Sequence, residues 1–131
     1  MTLYEPLSEE LEYLAAEVVD AAYKVHAALG PGLLESVYEI CLCHELNKRG
    51  LPFQRQVVLP VAYGDVKLDA GLRLDILVSQ QLILELKAVE KMIPLYDAQL
   101  LTYLKLTGLR LGLLINFNVV LIKDGIKRIV R

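Results

Sequence analysis

Cysteine is scarce: two thiols in 131 residues, Cys41 and Cys43. They stand two apart in a segment that reads as helical, where they point to different sides and suit neither a disulfide nor a zinc pair. They read as packing residues with reduced thiols, as in an intracellular protein. No run of eighteen uncharged apolar residues occurs, so no transmembrane helix is expected. The N-terminus, MTLYEPLSEELEYL, is acidic and amphipathic and lacks the basic-then-apolar pattern of a secretory leader, which points to the cytoplasm. Several site types are missing as well. Gly30-Pro31-Gly32 has the wrong length for a phosphate loop and precedes no nucleotide-binding strand–helix unit. His26 and His44 each lack a second histidine one helical turn away, so no HExxH zinc site exists. Ser36 and Ser79 have no legible histidine partner, which removes a hydrolase triad.

What remains is an ordinary single-domain composition. Hydrophobic residues make up 55% and charged residues 23%, enough for a substantial core and too ordered a mixture for wholesale disorder. The net charge of −2 hides an asymmetry. Residues 1–50 carry three Lys or Arg against nine Asp or Glu, whereas residues 51–131 carry eleven against seven. A basic C-terminal half suits phosphate, and a solvated surface explains it nearly as well.

No repeat, low-complexity tract or linker divides the chain, so residues 1–131 read as one domain. Ser8 is a good N-cap, and Leu11, Leu14, Ala15, Val18, Ala22 and Val25 follow at helical spacing, predicting a first helix over about 8–29. The core then occupies about 32–131. A second helix is expected over roughly 33–49, with Gly50 just beyond it. Residues 54–62 and 66–70 read as strands about a turn at Gly64-Asp65, and 72–78 and 82–87 as two more. Pro94 precedes a third helix at about 95–107, ended by Gly108. Residues 110–117 read as a buried strand, and Asp124-Gly125 as the turn of a closing hairpin. The order implies an α/β fold: one mixed central sheet flanked by helices.

The chemistry concentrates in the hairpin 72–87. If its loop is 79–81, residue 78 pairs with 82, 76 with 84 and 75 with 85, so Asp75 and Glu85 oppose each other on one face. Lys87 shares the face of Glu85, while Leu84 and Leu86 point into the core. Two carboxylates opposed inside apolar runs repel each other unless a cation lies between them, and hard divalent ions such as Mg²⁺ or Mn²⁺ favour that oxygen chemistry. A lysine beside them can orient water or stabilise charge on phosphate. The same residues read alternatively as a structural Asp75–Lys87 or Glu85–Lys87 ion pair. A loop one residue longer or shorter would put the two acids on different faces.

Two further clusters accompany the hairpin. Glu35 and Tyr38 share a face of the second helix, and Gln99 and Tyr103 a face of the third. Alone, Glu35 reads as a surface or capping residue, Gln99 as solvated, and both tyrosines as core aromatics with hydroxyls reaching the surface. Together, the stretches GPGLLESVYE, RLDILV, LELKAVE, AQLLTYLKLTG and GLLINF resemble the GxxExxY proteins, grouped with the PD-(D/E)xK nuclease superfamily, over roughly residues 8–131. That resemblance implies a restriction-endonuclease-like fold. It also implies that Asp75, Glu85, Glu35 and the backbone carbonyl of Leu86 hold Mg²⁺ or Mn²⁺, and that Lys87 stands beside the attacking water. Gln99 and Tyr103 resemble a QxxxY motif that lines the site and touches nucleic acid. Leu74 stands where the motif's proline often is.

Arg73, on the side of Asp75, is a candidate phosphate contact or neutraliser of the carboxylates; with Tyr38 it joins Gln99 and Tyr103 as a substrate-positioning candidate. Arg55 and Lys105 are phosphate contacts or solvated, and Glu90 and Lys91 belong to the loop before Pro94. The expected function is a metal-dependent nuclease acting on DNA or RNA, with no membrane association and a possible homo-oligomeric state. The rival readings are a catalytically silent nucleic-acid-binding module that keeps the fold and an oligomeric interaction protein.

Overall fold

The structure is a computed structural model that describes residues 5–131. The reading of the extreme N-terminus therefore falls partly on residues 1–4, outside the described residues. Helix α1 spans Glu9–Leu29. The Ser8 hydroxyl caps it by accepting the Leu11 N–H at 3.1 Å, and Glu9, Glu10 and Glu12 sit at its positive end. Helix α2 spans Glu35–Lys48, and helix α3 runs Pro94–Thr107 until Gly108 takes the left-handed conformation.

Five strands form one sheet in chain order: β1 Phe53–Tyr63, β2 Val66–Val78, β3 Leu82–Lys87, β4 Leu111–Asn116 and β5 Ile126–Val130. All neighbours are antiparallel except β3 and β4, which run parallel because α3 carries the chain across between them. The β2–β3 loop is the expected three residues, 79–81. Ser79 and Gln80 are both left-handed, and the Gln81 N–H donates to the Val78 carbonyl at 2.9 Å. That turn fixes the pairs Val78–Leu82, Leu77–Ile83 and Ile76–Leu84.

Two sequence expectations are corrected. The runs 66–70 and 72–78 are one strand, continuous through Gly71, where the Val61 side chain packs so close that a β-carbon would collide with it. Asp124-Gly125 does not turn a two-residue hairpin. It closes a 3-10 turn, Ile122–Gly125, that leads into β5. Gly125 is required there because the Asn116 carbonyl lies against its α-carbon.

The central strands of the sheet are buried on both sides. Ile76, Val78, Leu82, Leu84, Leu86, Leu113 and Ile115 pack against α1 and α2, while Leu77, Ile83 and Leu114 pack under Leu100 and Leu104 of α3. Side chains of a regular strand alternate, so Leu72 and Leu74 belong on the face of Ile76. They pack instead under α3. The β1–β2 ribbon thus turns over between Leu74 and Ile76, where Gln56 and Asp75 face each other without pairing and Gln56 is left-handed at φ 51°. The strained residue lies directly across from the candidate acid.

Helix α3 rests on β4 at Gly112, where an added methyl would stand 2.7–2.9 Å from the Leu100 side chain. Gly112→Ala is expected to destabilise the fold by about 1–3 kcal/mol. Urea unfolding checks this, and a variant as stable as the parent would show that α3 is not pressed against β4 there.

Candidate functional site

Glu85 stands on β3, the central strand of the sheet, between Leu84 and Leu86, and is 5% exposed. Asp75 is half-buried on β2 at the point of turn-over. Pairing of the two strands ends at Ile76–Leu84. Were it to continue, Leu86 would face Leu74. Instead the Asp75 carboxylate accepts the Leu86 N–H at 2.8 Å, so a side chain replaces the backbone partner. The N–H and C=O of one strand residue leave the same edge, so the Leu86 carbonyl faces the gap that Asp75 occupies.

Burial of Glu85 and the adjacent Asp75 carboxylate push the Glu85 carboxyl up from the usual 4.5 to about 9. At neutral pH the pair therefore carries a proton. Two carboxylates that cannot ionise together are an arrangement whose repulsion a divalent cation could remove as it displaces the proton.

Glu35 opens α2 and faces the same pair. Its carboxyl is raised by burial first and by the charge of Asp75 second, and lowered by Lys87 and Arg73. From α3, the Tyr103 hydroxyl is raised by burial and then by Glu85 and Asp75, and lowered by Arg73 and Gln99. Two helices and two strands therefore bring Glu35, Arg73, Asp75, Glu85, Gln99 and Tyr103 to one place. Lys87 joins them at the end of β3, its ammonium 4.4 Å from the centre of the Tyr96 ring.

Three expectations change. Tyr38 is wholly buried: it stacks on Phe117 at 4.6 Å, donates to the Gly30 carbonyl at 2.7 Å and accepts the Leu33 N–H at 3.1 Å. Its hydroxyl is used in the turn before α2 and cannot position substrate. Arg55 is an ion-pair partner of Glu39, with contacts of 3.0 and 2.6 Å, rather than a phosphate contact or a merely solvated residue. Among the described residues no three His, Cys, Asp or Glu side chains converge on one ion, so Glu35 faces the acid pair without completing a three-carboxylate cage.

Lys105, Glu90, Lys91 and His44 are exposed, and both cysteines are free. A cleft of about 340 Å³ under the β1–β2 ribbon is lined by Leu59, Leu72, Leu74 and Leu106, and one of about 380 Å³ between α1 and α2 by Val25, Ala28, Ile40 and Cys41. Both are apolar and lie apart from the acids.

Sequence reading missed the residues that hold this arrangement. Glu39, one turn along α2 from Glu35, accepts from Arg55 and from the Gln56 amide at 2.8 Å, and so ties α2 to the turn-over beside Asp75. Asn116, at the end of β4, accepts the Val89 N–H and donates to the Val89 carbonyl, and Phe117 donates to the Lys87 carbonyl. Asn118 accepts the Gly32 N–H in the loop before Glu35. The one signal for these residues was a polar residue closing an apolar strand, in the run LLINFN.

One mixed five-stranded sheet flanked by three helices, with the acid pair at its central strands, makes a single α/β domain. The chain belongs to the PD-(D/E)XK nuclease superfamily, whose family model matches residues 12–129. Members of the superfamily generally use divalent metals. No curated protein and no solved structure matches the chain.

The Glu85 shift has a consequence for stability. Its folded-state pKa lies above its unfolded one, so the stabilisation is full below about 4.5 and is lost as pH rises through about 9. In chelator, stability is expected to fall across that window by up to about 1.4 kcal/mol per pH unit. Glu85→Gln is expected to flatten the dependence. Urea unfolding at a series of pH values tests both, and an unchanged slope in the variant would exclude Glu85 as its source.

Proposed function

We propose that the protein is a metal-dependent nuclease that hydrolyses phosphodiester bonds in DNA or RNA at the Asp75–Glu85 pair, with Mg²⁺ or Mn²⁺ as cofactor. The observation that carries this reading is the pairing of a buried Glu85 with Asp75 beside two cations, Arg73 and Lys87, that close no ion pair among the described residues. Arg49, Arg55 and Arg128 are all engaged by acids, whereas among the described residues neither Arg73 nor Lys87 forms an ion pair. Cations without an ion-pair partner beside an acid pair suit an anionic substrate.

The donor set fits a hard divalent ion. Asp75, Glu85 and the Leu86 carbonyl would hold it, and such ions accept one or two carboxylates with water and phosphate oxygens completing the shell. Glu35 would act from the rim of the site. When bound, the ion supplies Lewis acidity toward phosphate oxygen and water. Arg73 would bind the phosphate, and the Lys87 ammonium would stabilise the negative charge that grows as the P–O bond breaks. The Gln99–Tyr103 pair lines the α3 side and would orient the nucleotide. No helix of the described residues is long and apolar enough to cross a membrane. The two free thiols suit a reducing compartment, and we place the activity in the cytoplasm.

Cleavage of single- or double-stranded DNA or RNA is expected to require added Mg²⁺ or Mn²⁺. It should fall by about three orders of magnitude or more in Glu85→Ala and in Lys87→Ala, as for loss of a preorganised charge-stabilising group. A pure preparation that cleaves none of these with either metal would sink the reading. Binding without cleavage, indifferent to chelator and to Asp75→Ala, would identify a silent binding module instead.

Arg73 gives a separate test. Arg73→Ala is expected to weaken nucleic-acid binding in Ca²⁺ and to reduce the slope of log affinity against log salt by about one. An unchanged slope would remove Arg73 from the phosphate contacts.

A further inference from the structure

We infer that Tyr96 is a positioning residue: its ring face holds the Lys87 ammonium beside the acid pair but off the carboxylates. The inference rests on the nuclease reading for its catalytic consequence and on geometry alone for the contact.

The geometry presents a choice that Lys87 has made. Glu35, Asp75 and Glu85 all lie close enough to couple electrostatically in this cluster, and the charge of Lys87 lowers the carboxyls of both Glu35 and Glu85. A flexible lysine with acids on two sides would ordinarily close an ion pair with one of them. Lys87 makes none, and its ammonium sits 4.4 Å from the Tyr96 ring centre. The negative face of an aromatic ring attracts a cation without supplying an oxygen that competes with the acids. An ammonium parked there leaves the oxygens of Asp75 and Glu85 open.

The local structure keeps the ring in place. Tyr96 lies in the first turn of α3, where its N–H donates to the Ile93 carbonyl at 3.1 Å. Its ring is half-buried against the cluster of Leu77, Ile83, Leu100 and Leu104. Asp97, the next residue, is paired with Lys127 of β5, which fastens this turn to the far edge of the sheet. On the other side, Lys87 is fixed through its carbonyl by Phe117. Both partners of the contact are thus anchored through their backbones, and the contact itself needs only the ring. The Tyr96 hydroxyl has no part in it.

That separation of ring from hydroxyl makes the role testable. In protein labelled with ¹³C-lysine, the Lys87 ε-methylene resonance, assigned by its loss in Lys87→Gln, is expected upfield of the other lysines through the ring current. The shift should persist in Tyr96→Phe and disappear in Tyr96→Leu, with thermal unfolding confirming that both variants fold. With Mn²⁺ and a DNA or RNA substrate, Tyr96→Phe should keep its turnover. Tyr96→Leu should lose about tenfold in kcat, the scale of one ring–ammonium contact, with KM little changed. Tyr96→Trp should behave as the parent or better.

An unshifted Lys87 resonance in the parent protein would overturn the inference. So would an equal loss of turnover in Tyr96→Phe and Tyr96→Leu, because the hydroxyl and not the ring would then act. A parent protein without activity would remove the nuclease reading and leave the resonance arm to decide the contact on its own.

Discussion

A carboxyl group on the central strand of a sheet covered on both faces has few ways to exist. Water is excluded, and ionisation in such a place costs several kcal/mol unless a partner offsets it. Glu85 meets this constraint by holding its proton to about pH 9, with Asp75 alongside to discourage its release. Much of the site follows from the pair. Asp75 keeps its place because the Leu86 N–H holds one of its oxygens. That bond exists only because β2 leaves the ladder one residue earlier. The departure in turn depends on the turn-over at Gln56, a left-handed residue whose conformation is costly and which Glu39 grips from α2. A helix, two strands and a strained residue thus converge on the acid pair.

The second support lies at the end of β4. Asn116 and Phe117 tie down the backbone just after Glu85, at Lys87 and Val89, while Asn118 ties down Gly32, just before Glu35. The same short segment therefore sets the exit of β3 and the entrance of α2. Tyr38 completes it from within, stacking on Phe117 and closing the Gly30–Leu33 turn with its hydroxyl. Groups on separate elements keep their distances because their neighbouring backbones share one bracket. Such support is what functional constellations require, since small misplacements remove much of the effect of a positioned charge.

How much of this was legible in the sequence depended on the range of the interaction. Ser8, Gly108 and the helical repeat of α1 act locally, and the helices begin and end close to where those residues place them. The hairpin register was legible as far as Ile76–Leu84 because a three-residue loop and the apolar alternation agree, but the ladder ends there and the expected 75–85 pair does not form; Asp75 reaches the Leu86 N–H with its side chain instead. The turn-over at Gln56 was not legible. A regular alternation continues in the letters through Leu72, Leu74 and Ile76, and only α3, contributed from elsewhere in the chain, shows which face the first two take. The fate of Arg55 was hidden for the same reason, since Glu39 is sixteen residues away and on another element. Tyr38 was misassigned because its spacing from Glu35 shows a shared side of the helix and not the depth at which each residue sits. Asp124-Gly125 has the residues of a tight hairpin turn, but the chain closes a 3-10 turn there, with the Asn116 carbonyl packed where only a glycine leaves room.

The arrangement also bears on the choice between an active site and an inherited scaffold. A protein needing only this fold would be more stable with an apolar residue at position 85, where the neighbours Leu84 and Leu86 are fully buried. The chain instead carries the acid, a left-handed glutamine across from its partner, and a lysine held on an aromatic ring rather than in an ion pair. Each feature lowers stability or leaves an available contact unmade. On the reading proposed above, a cation between the carboxylates would offset the cost of the buried acid, and a phosphate would give Lys87 and Arg73 an anionic partner. Binding to the folded state would then recover stability in proportion to occupancy. The buried acid and the lysine held off it are thus the two features that the proposed ligands would explain together, whereas packing alone gives neither a reason.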